Sequence, residues 1–209
     1  MPENKKSLGK LLLDGIWGEN PVLRLALGIC PALAIATTGW NGLAIGVATA
    51  AVLVCAELVI SILHGLMDGP FRVPVVCVVV AALSVGAQMV LRHFYPEINA
   101  ALGIYVPLIA ANTLLLTRTE TFAGQNGPME ALVDGVGMGI GYACALALLG
   151  AIREVFAFGT AFGDVIFTSG FEANALALLP AGGFMLLGLV MGVFNAVVSR
   201  RKGKEDASA

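Results

Sequence analysis

Long apolar runs separated by short polar breaks make up most of the chain. Reading hydropathy along it predicts six helices, at about 21–38, 42–63, 73–94, 101–118, 134–156 and 174–198. The second is the plainest: between Gly42 and Leu63 the only ionisable side chains are Cys55 and Glu57. Each run approaches the ~20 residues that a helix needs to cross a bilayer. Lipid offers backbone groups no partner, so the spans must be helical. The ~10-residue alternation of a membrane β-barrel is absent. The expected fold class is an all-α membrane protein. A segment 1–20 precedes a six-helix transmembrane domain, 21–198, and a basic tail, 199–209, follows it.

Two of the six runs differ from the rest. The first, GENPVLRLALGICPALAIATTGWNG, carries Pro21, Gly28, Pro31, Thr37 and Thr38. The fourth, LGIYVPLIAANTLLLTRTETFAG, carries Gly103, Pro107, Asn112 and Thr113. Proline inside a helix deletes a backbone bond and clashes with the preceding turn, so both read as broken helices. A smooth span rich in Gly and Ala follows each break, and a third span closes each half. The order recurs at 21–94 and 101–198. Three spans is an odd number, so the second copy enters from the opposite side: an inverted repeat whose broken helices meet near the midplane. The plainer alternative is coincidence, since Pro and Gly are frequent in membrane helices.

Composition agrees with a membrane protein. The chain is 58% hydrophobic and 12% charged over 209 residues, against about 25% charged in a soluble domain. That excludes an ordinary soluble enzyme and a disordered chain. A net charge of −2 leaves no basic footprint for nucleic acid. With the N-terminus inside, ten of the twelve Lys and Arg fall on the inner side and only Arg92 and Arg153 outside. The positive-inside rule then puts both termini in the cytoplasm of a multi-pass protein. No signal peptide is legible, because only Leu11–Leu13 separate the polar start from Asp14, so the chain is expected to insert through its own spans.

Few residues can carry chemistry in such a chain. Cys30, in GICP, sits in the first break. A thiolate suits an iron–sulfur cluster, and a membrane cysteine serves equally as a small apolar filler. No CxxC pair brings four thiolates together, so a cluster would need thiolates from another chain. Asn112 and Thr113 hold the matching place in the fourth run, either satisfying carbonyls freed by Pro107 or lining a site between the repeats. Glu57 is the one carboxylate deep in a span, where a charge costs about 2.5–3.5 kcal/mol on insertion scales. It must be protonated, paired or facing a wet cavity. Ion or proton handling and local bonding to Thr49 or Ser61 are both open for it. Arg153–Glu154 and Arg118–Glu120 read as span-end anchors, and Asp134 as a helix cap. GVGMGIG at 135–141 follows no strand, so it reads as close helix packing rather than a nucleotide loop.

Four stretches together resemble a known family: ENPVLRLALGICPALAIATT, FRVPVVCVVVAALSVGAQM, ALGIYVPLIAANTLLLTRTETFA and DGVGMGIGYACALALLGAIREVFAFGT. They are similar to the E-type membrane subunits of Rnf electron-transport complexes and to the D-type subunits of the Na⁺-translocating NADH:quinone reductase, over about residues 14–198. The resemblance implies six spans in inverted repeats, in a bacterial inner-membrane complex that moves electrons between ferredoxin and NAD and couples them to Na⁺ or H⁺. It implies an A-type partner of opposite orientation sharing one [2Fe–2S] cluster, two cysteines from each chain. It also implies separate D- and G-type flavin subunits and B- and C-type iron–sulfur and NADH-side subunits. Cys30 matches the first family cysteine. The second belongs to a pattern PLI-x-x-N-C that reads PLIAANT here, so Thr113 stands at the expected ligand position, and a hydroxyl is a poor ligand for such iron. Cys55, Cys77 and Cys144 match no family ligand. The expected role is electron relay and ion coupling, with Glu57 and Asn112 as candidates, and without hydride chemistry on this chain. A secondary transporter lacking metal is the alternative, and a membrane scaffold a third.

Overall fold

A computed structural model describes residues 8–63, 72–165 and 175–206. A short helix α1, Leu8–Leu13, opens the chain and runs into a π-helical turn, Asp14–Gly18. After turns at 21–25, α2 occupies Ile29–Ile35 and α3 Gly39–Leu63. Helix α4, Arg72–Phe94, leads into α5, Pro96–Leu102. Two 3₁₀ turns, Gly103–Tyr105 and Pro107–Ala111, precede α6, Thr113–Arg118, and a π-helical turn, Thr119–Ala123. The longest helix, α7, spans Pro128–Phe158. A two-residue hairpin (β1 Thr160–Ala161, β2 Asp164–Val165) follows, then α8, Ala175–Leu178, and α9, Pro180–Asp206.

Among the described residues four helices are long and apolar enough to cross a membrane: α3, α4, α7 and α9 over Pro180–Ser199. They correspond to the second, third, fifth and sixth predicted runs, the sixth of which is divided at Leu179 into α8 and α9 because Pro180 starts a new helix. The first and fourth runs fold as short helical pieces, broken at Gly28 and over 103–107 as expected, whereas Pro31 lies inside α2 and the chain breaks again at 36–38. Helix α7 starts at Pro128, ahead of the predicted 134, with Gly127 at its N-cap. Asp134 therefore does not cap the helix, contrary to the expectation from sequence; it lies inside α7 and is fully buried. Proline favours the first helical turn, where its missing N–H costs nothing, and this sets the earlier start.

The centre of the molecule is the antiparallel pair α3 and α7, joined along a seam of small residues. A Cβ built on Gly42 would meet the Leu146 carbonyl oxygen at 2.5 Å, and one on Gly46 the Ala143 Cα at 2.6 Å. One on Gly139 would meet the Ala50 Cβ at 2.7 Å, and one on Gly135 the Val54 Cα at 3.2 Å. Backbones this close exchange dispersion contacts that larger residues forbid, the usual basis of helix association in lipid. Helices α4 and α9 flank the pair and keep apolar side chains such as Val78, Met89, Phe184 and Met185 on the outside. The α1 segment lies along α7: Gly15 abuts Gly137 and Met138, and Asn20 donates to the Gly141 carbonyl at 3.2 Å.

Candidate functional site

The two breaks meet each other. At the first, Gly28 adopts φ +70°, a left-handed conformation that glycine enters without steric cost, and α2 begins at the next residue. At the second, Asn112 is extended (φ −70°, ψ 122°), and its Oδ1 accepts from the Leu114 N–H at 2.9 Å, capping α6. The Gly28 N–H donates to Thr113 Oγ1 at 3.0 Å. Tyr142, from α7, lies between them: its hydroxyl donates to the Gly28 carbonyl at 3.0 Å and accepts from Asn112 Nδ2 at 3.1 Å. Gly28, Asn112 and Tyr142 are all buried. One compact network therefore satisfies backbone groups that both breaks set free, as burial demands.

Of the residues singled out by sequence, Cys30, Asn112 and Thr113 belong to this junction. Cys30 is the second residue of α2, two positions beyond Gly28, and its side chain is exposed. Cys55, Cys77 and Cys144 are exposed as well. The Thr113 hydroxyl oxygen accepts the Gly28 N–H and so ties the two breaks together. Sequence reading passes over Tyr142. Its one signal is a phenol amid Gly and Ala on a buried helix, since a buried tyrosine hydroxyl needs a partner.

Glu57 lies elsewhere. It is fully buried on α3, and neither carboxyl oxygen has a hydrogen-bond partner. A Cβ on Gly135 would stand 3.0 Å from its Oε2. Gly135 is seven residues before Tyr142 on α7, about 10 Å along the axis at 1.5 Å per residue, so Glu57 and Asn112 do not share one site. The charges that reach Glu57 are those of Asp134 and Arg118. Arg118 grips Asp134 with two bonds, Nε to Oδ2 at 3.0 Å and Nη2 to Oδ1 at 2.5 Å. The same guanidinium reaches Glu19 Oε2 at 3.7 Å. It also lines an open cavity of about 720 Å³, together with Asp14, Gly18, Glu19, Arg24 and Leu25.

The pair read as a span-end anchor has a structural task. Arg153 is fully buried and donates to the carbonyls of Ala36, Ala177 and Leu178 at 3.2, 3.1 and 2.9 Å. It thereby closes the C-terminal ends of α2 and α8, where orphan carbonyls and the helix dipole favour a cation. Glu154 accepts from the Gly39 N–H at 2.9 Å, the Thr160 hydroxyl at 3.0 Å and the Gly163 N–H at 2.9 Å. It ties the start of α3 to the hairpin.

This architecture, with small-residue helices packed at the centre of an apolar chain and two interrupted segments joined beside them, defines the class. The chain belongs to the Rnf-Nqr subunit family of membrane proteins, whose model matches residues 8–191. It is 41% identical over 186 residues to the E-type subunit of the Na⁺-translocating ferredoxin:NAD⁺ oxidoreductase complex of Acetobacterium woodii, covering 89% of this chain and 95% of that one. It is 35% identical to the E-type subunit of the proton-translocating ferredoxin:NAD⁺ oxidoreductase complex of Clostridium ljungdahlii, covering 90% and 88%. It is 34% identical to the E-type subunit of the ion-translocating oxidoreductase complex of Vibrio vulnificus, covering 98% and 93%.

Proposed function

We propose that this chain is the E-type membrane subunit of an ion-translocating ferredoxin:NAD⁺ oxidoreductase complex in the bacterial inner membrane. In this reading it works beside an A-type partner and is not catalytic alone. The observation that carries the reading is the junction of the two breaks, set against the pattern of the α3–α7 seam. The contacts of that seam read the same from either helix. The shift that carries Gly46 onto Ala143, its own partner, carries Gly42 onto Gly139, Ala50 onto Ala147 and Glu57 onto Glu154. Under that exchange the approach of Gly42 to Leu146 and Ala147 becomes the approach of Gly139 to Ala50. The approach of Gly135 to Val54 and Glu57 has its counterpart, within one residue, in that of Gly150 to Thr38 and of Glu154 to Gly39. Antiparallel helices related this way are what a two-fold axis in the membrane plane produces. The broken segments 21–38 and 101–118 then cross as the first and fourth of six spans, in repeats 21–94 and 101–198, with both termini cytoplasmic.

The donor set at the junction fits a shared metal centre through Cys30 alone. It does not fit the two-thiolate share that the resemblance implies, because Thr113 offers a hard oxygen that is already bonded where a thiolate is wanted. The work of this chain's own residues is legible without that centre. The Gly28–Thr113–Tyr142–Asn112 network holds the two short helices in fixed relation and so sets where Cys30 stands. Packed small residues keep water from the seam. Glu57 and Asn112 are the ion-coupling candidates for Na⁺ or H⁺, and the flavin-bearing and soluble iron–sulfur subunits supply the rest of the electron path.

Iron and acid-labile sulfide measured on the purified complex, before and after Cys30→Ala, test the site. Loss of iron and sulfide with the subunits still assembled is expected. Unchanged content would remove Cys30 as a ligand. Solute uptake by the chain reconstituted alone would instead favour a secondary transporter.

A further inference from the structure

Glu57 and Glu154 occupy matching places on α3 and α7, yet their surroundings differ. Glu154 takes three donors because α3 begins at Gly39 and leaves that N–H free. Helix α7 begins seven residues before Gly135, so the Gly135 N–H beside Glu57 serves its own helix first and gives the carboxyl group a weak contact short of a hydrogen bond. Both Glu57 oxygens are left buried without a partner, in contrast to nearly all buried polar groups. An isolated carboxylate in such surroundings takes up a proton rather than remain charged.

We propose that Glu57 is a proton-binding site, reached from the cavity lined by Asp14, Glu19, Arg24 and Arg118, with the Arg118–Asp134 ion pair standing between the two. Its place in ion coupling rests on the function proposed above; the site itself does not. The ligand is a proton: among the described residues no group of three His, Cys, Asp or Glu side chains gathers to hold a metal ion. A hard cation gathers about six oxygens. Here the Arg118 guanidinium faces both oxygens of Asp134 and repels an arriving cation, and Thr49 and Ser61 spend their hydroxyl hydrogens on the Ile45 and Asn126 carbonyls at 2.7 and 2.8 Å rather than on Glu57. One carboxyl oxygen and a wet approach suffice for a proton, and binding converts the carboxylate to the neutral acid. Of the other charged groups on elements packed on α3, α4 brings Arg72, which donates to the Glu120 carbonyl, the turn Thr119–Ala123 brings Glu120 and α5 brings Glu97, both exposed, and α7 brings Glu130, half-buried one turn before Asp134. Arg118 and Asp134 are thus the charged groups that set the site. Arg118 is bonded to Asp134 and in reach of Glu19, so a charge arriving in the cavity is felt at the pair first.

The test uses the whole complex in membrane vesicles and dicyclohexylcarbodiimide, which adds to protonated carboxyl groups in apolar surroundings, with the adduct mapped by mass spectrometry. Glu57 is expected to label at acid pH and at least tenfold less at alkaline pH. Saturating Na⁺ at constant pH is expected to leave labelling unchanged, and Glu57→Gln to abolish the adduct. Protection by Na⁺ would overturn the proposal in favour of a metal-cation site. Absent or pH-independent labelling would overturn it outright. Asp134→Asn releases the Arg118 guanidinium, which then favours the ionised Glu57, so labelling at fixed pH should fall severalfold. Glu19→Gln, at the outer end, should change it far less. Unchanged labelling in Asp134→Asn would overturn the link to the ion pair, and if that variant fails to assemble, the pH and Na⁺ series on the unaltered complex still decides. Ion uptake by Glu57→Gln vesicles separates the two claims. Normal uptake alongside pH-dependent labelling of the unaltered complex would sink the coupling role of Glu57 and leave the proton site standing.

Discussion

Tyr142→Phe removes one oxygen atom, the one that ties Gly28 and Asn112 to α7. The phenyl ring keeps its packing, so the change isolates the hydroxyl. Two bonds disappear, one to the Gly28 carbonyl and one from Asn112 Nδ2, at 3.0 and 3.1 Å. Side-chain hydrogen bonds in membrane proteins average about 0.6 kcal/mol each, so the floor is about 1.2 kcal/mol. Gly28 and Asn112 are buried, and stranding a buried polar group costs about 1–3 kcal/mol. The expected loss is therefore about 1–3 kcal/mol in reversible unfolding of the detergent-solubilised protein. A second readout follows from position: Cys30 lies two residues from Gly28 and is exposed, so its reaction with a maleimide should speed up severalfold as the junction loosens. Cys77, on α4, should label at the original rate and serve as the internal control. A stability change below about 0.5 kcal/mol, with Cys30 labelling unaltered, would refute the claim that this network positions the first break.

Two further substitutions probe the frame around the junction. Gly46→Leu drives a side chain into the Ala143 backbone, where even a Cβ would sit 2.6 Å from the Cα; α3 and α7 must separate, at about 1–3 kcal/mol or more, measured as a lowered unfolding midpoint and weaker assembly with partner subunits. Glu154→Ala strips the Gly39 N–H, the Thr160 hydroxyl and the Gly163 N–H of their acceptor and should cost about 2–4 kcal/mol, with proteolysis increasing at the hairpin. Glu154→Gln keeps one oxygen acceptor and should recover part of that loss.

Much of this protein is legible along the chain because a bilayer leaves few choices. Four apolar runs form α3, α4, α7 and α9, and Gly28, Gly103 and Pro107 mark where the other two are interrupted, while Pro31 stands in the first turn of α2, where proline is tolerated. Those are local matters: a proline lacks its N–H wherever it stands, and glycine alone enters the left-handed region freely. The family, too, could be read from ordered motifs, and Cys30, Asn112 and Thr113 were correctly grouped as residues of the two breaks.

Sequence could not reveal which polar groups would find partners, since those partners are distant in the chain. Tyr142 reaches Gly28 and Asn112, and Arg153 reaches Ala36 and Ala177, across separations set only by folding. Asp134 looked like a cap and proved to be the buried mate of Arg118, because α7 starts at Pro128 and carries the carboxylate inward. The same early start separates Glu57 from Glu154. Both are acidic residues near the end of a smooth apolar helix, and only the packing of α3 against α7 gives one three donors and leaves the other with none. Hydropathy determined that the chain lies in a membrane, and its glycines and prolines mark bends in it. The free energy of burying each polar atom depends on what stands beside it, and that was decided by tertiary structure.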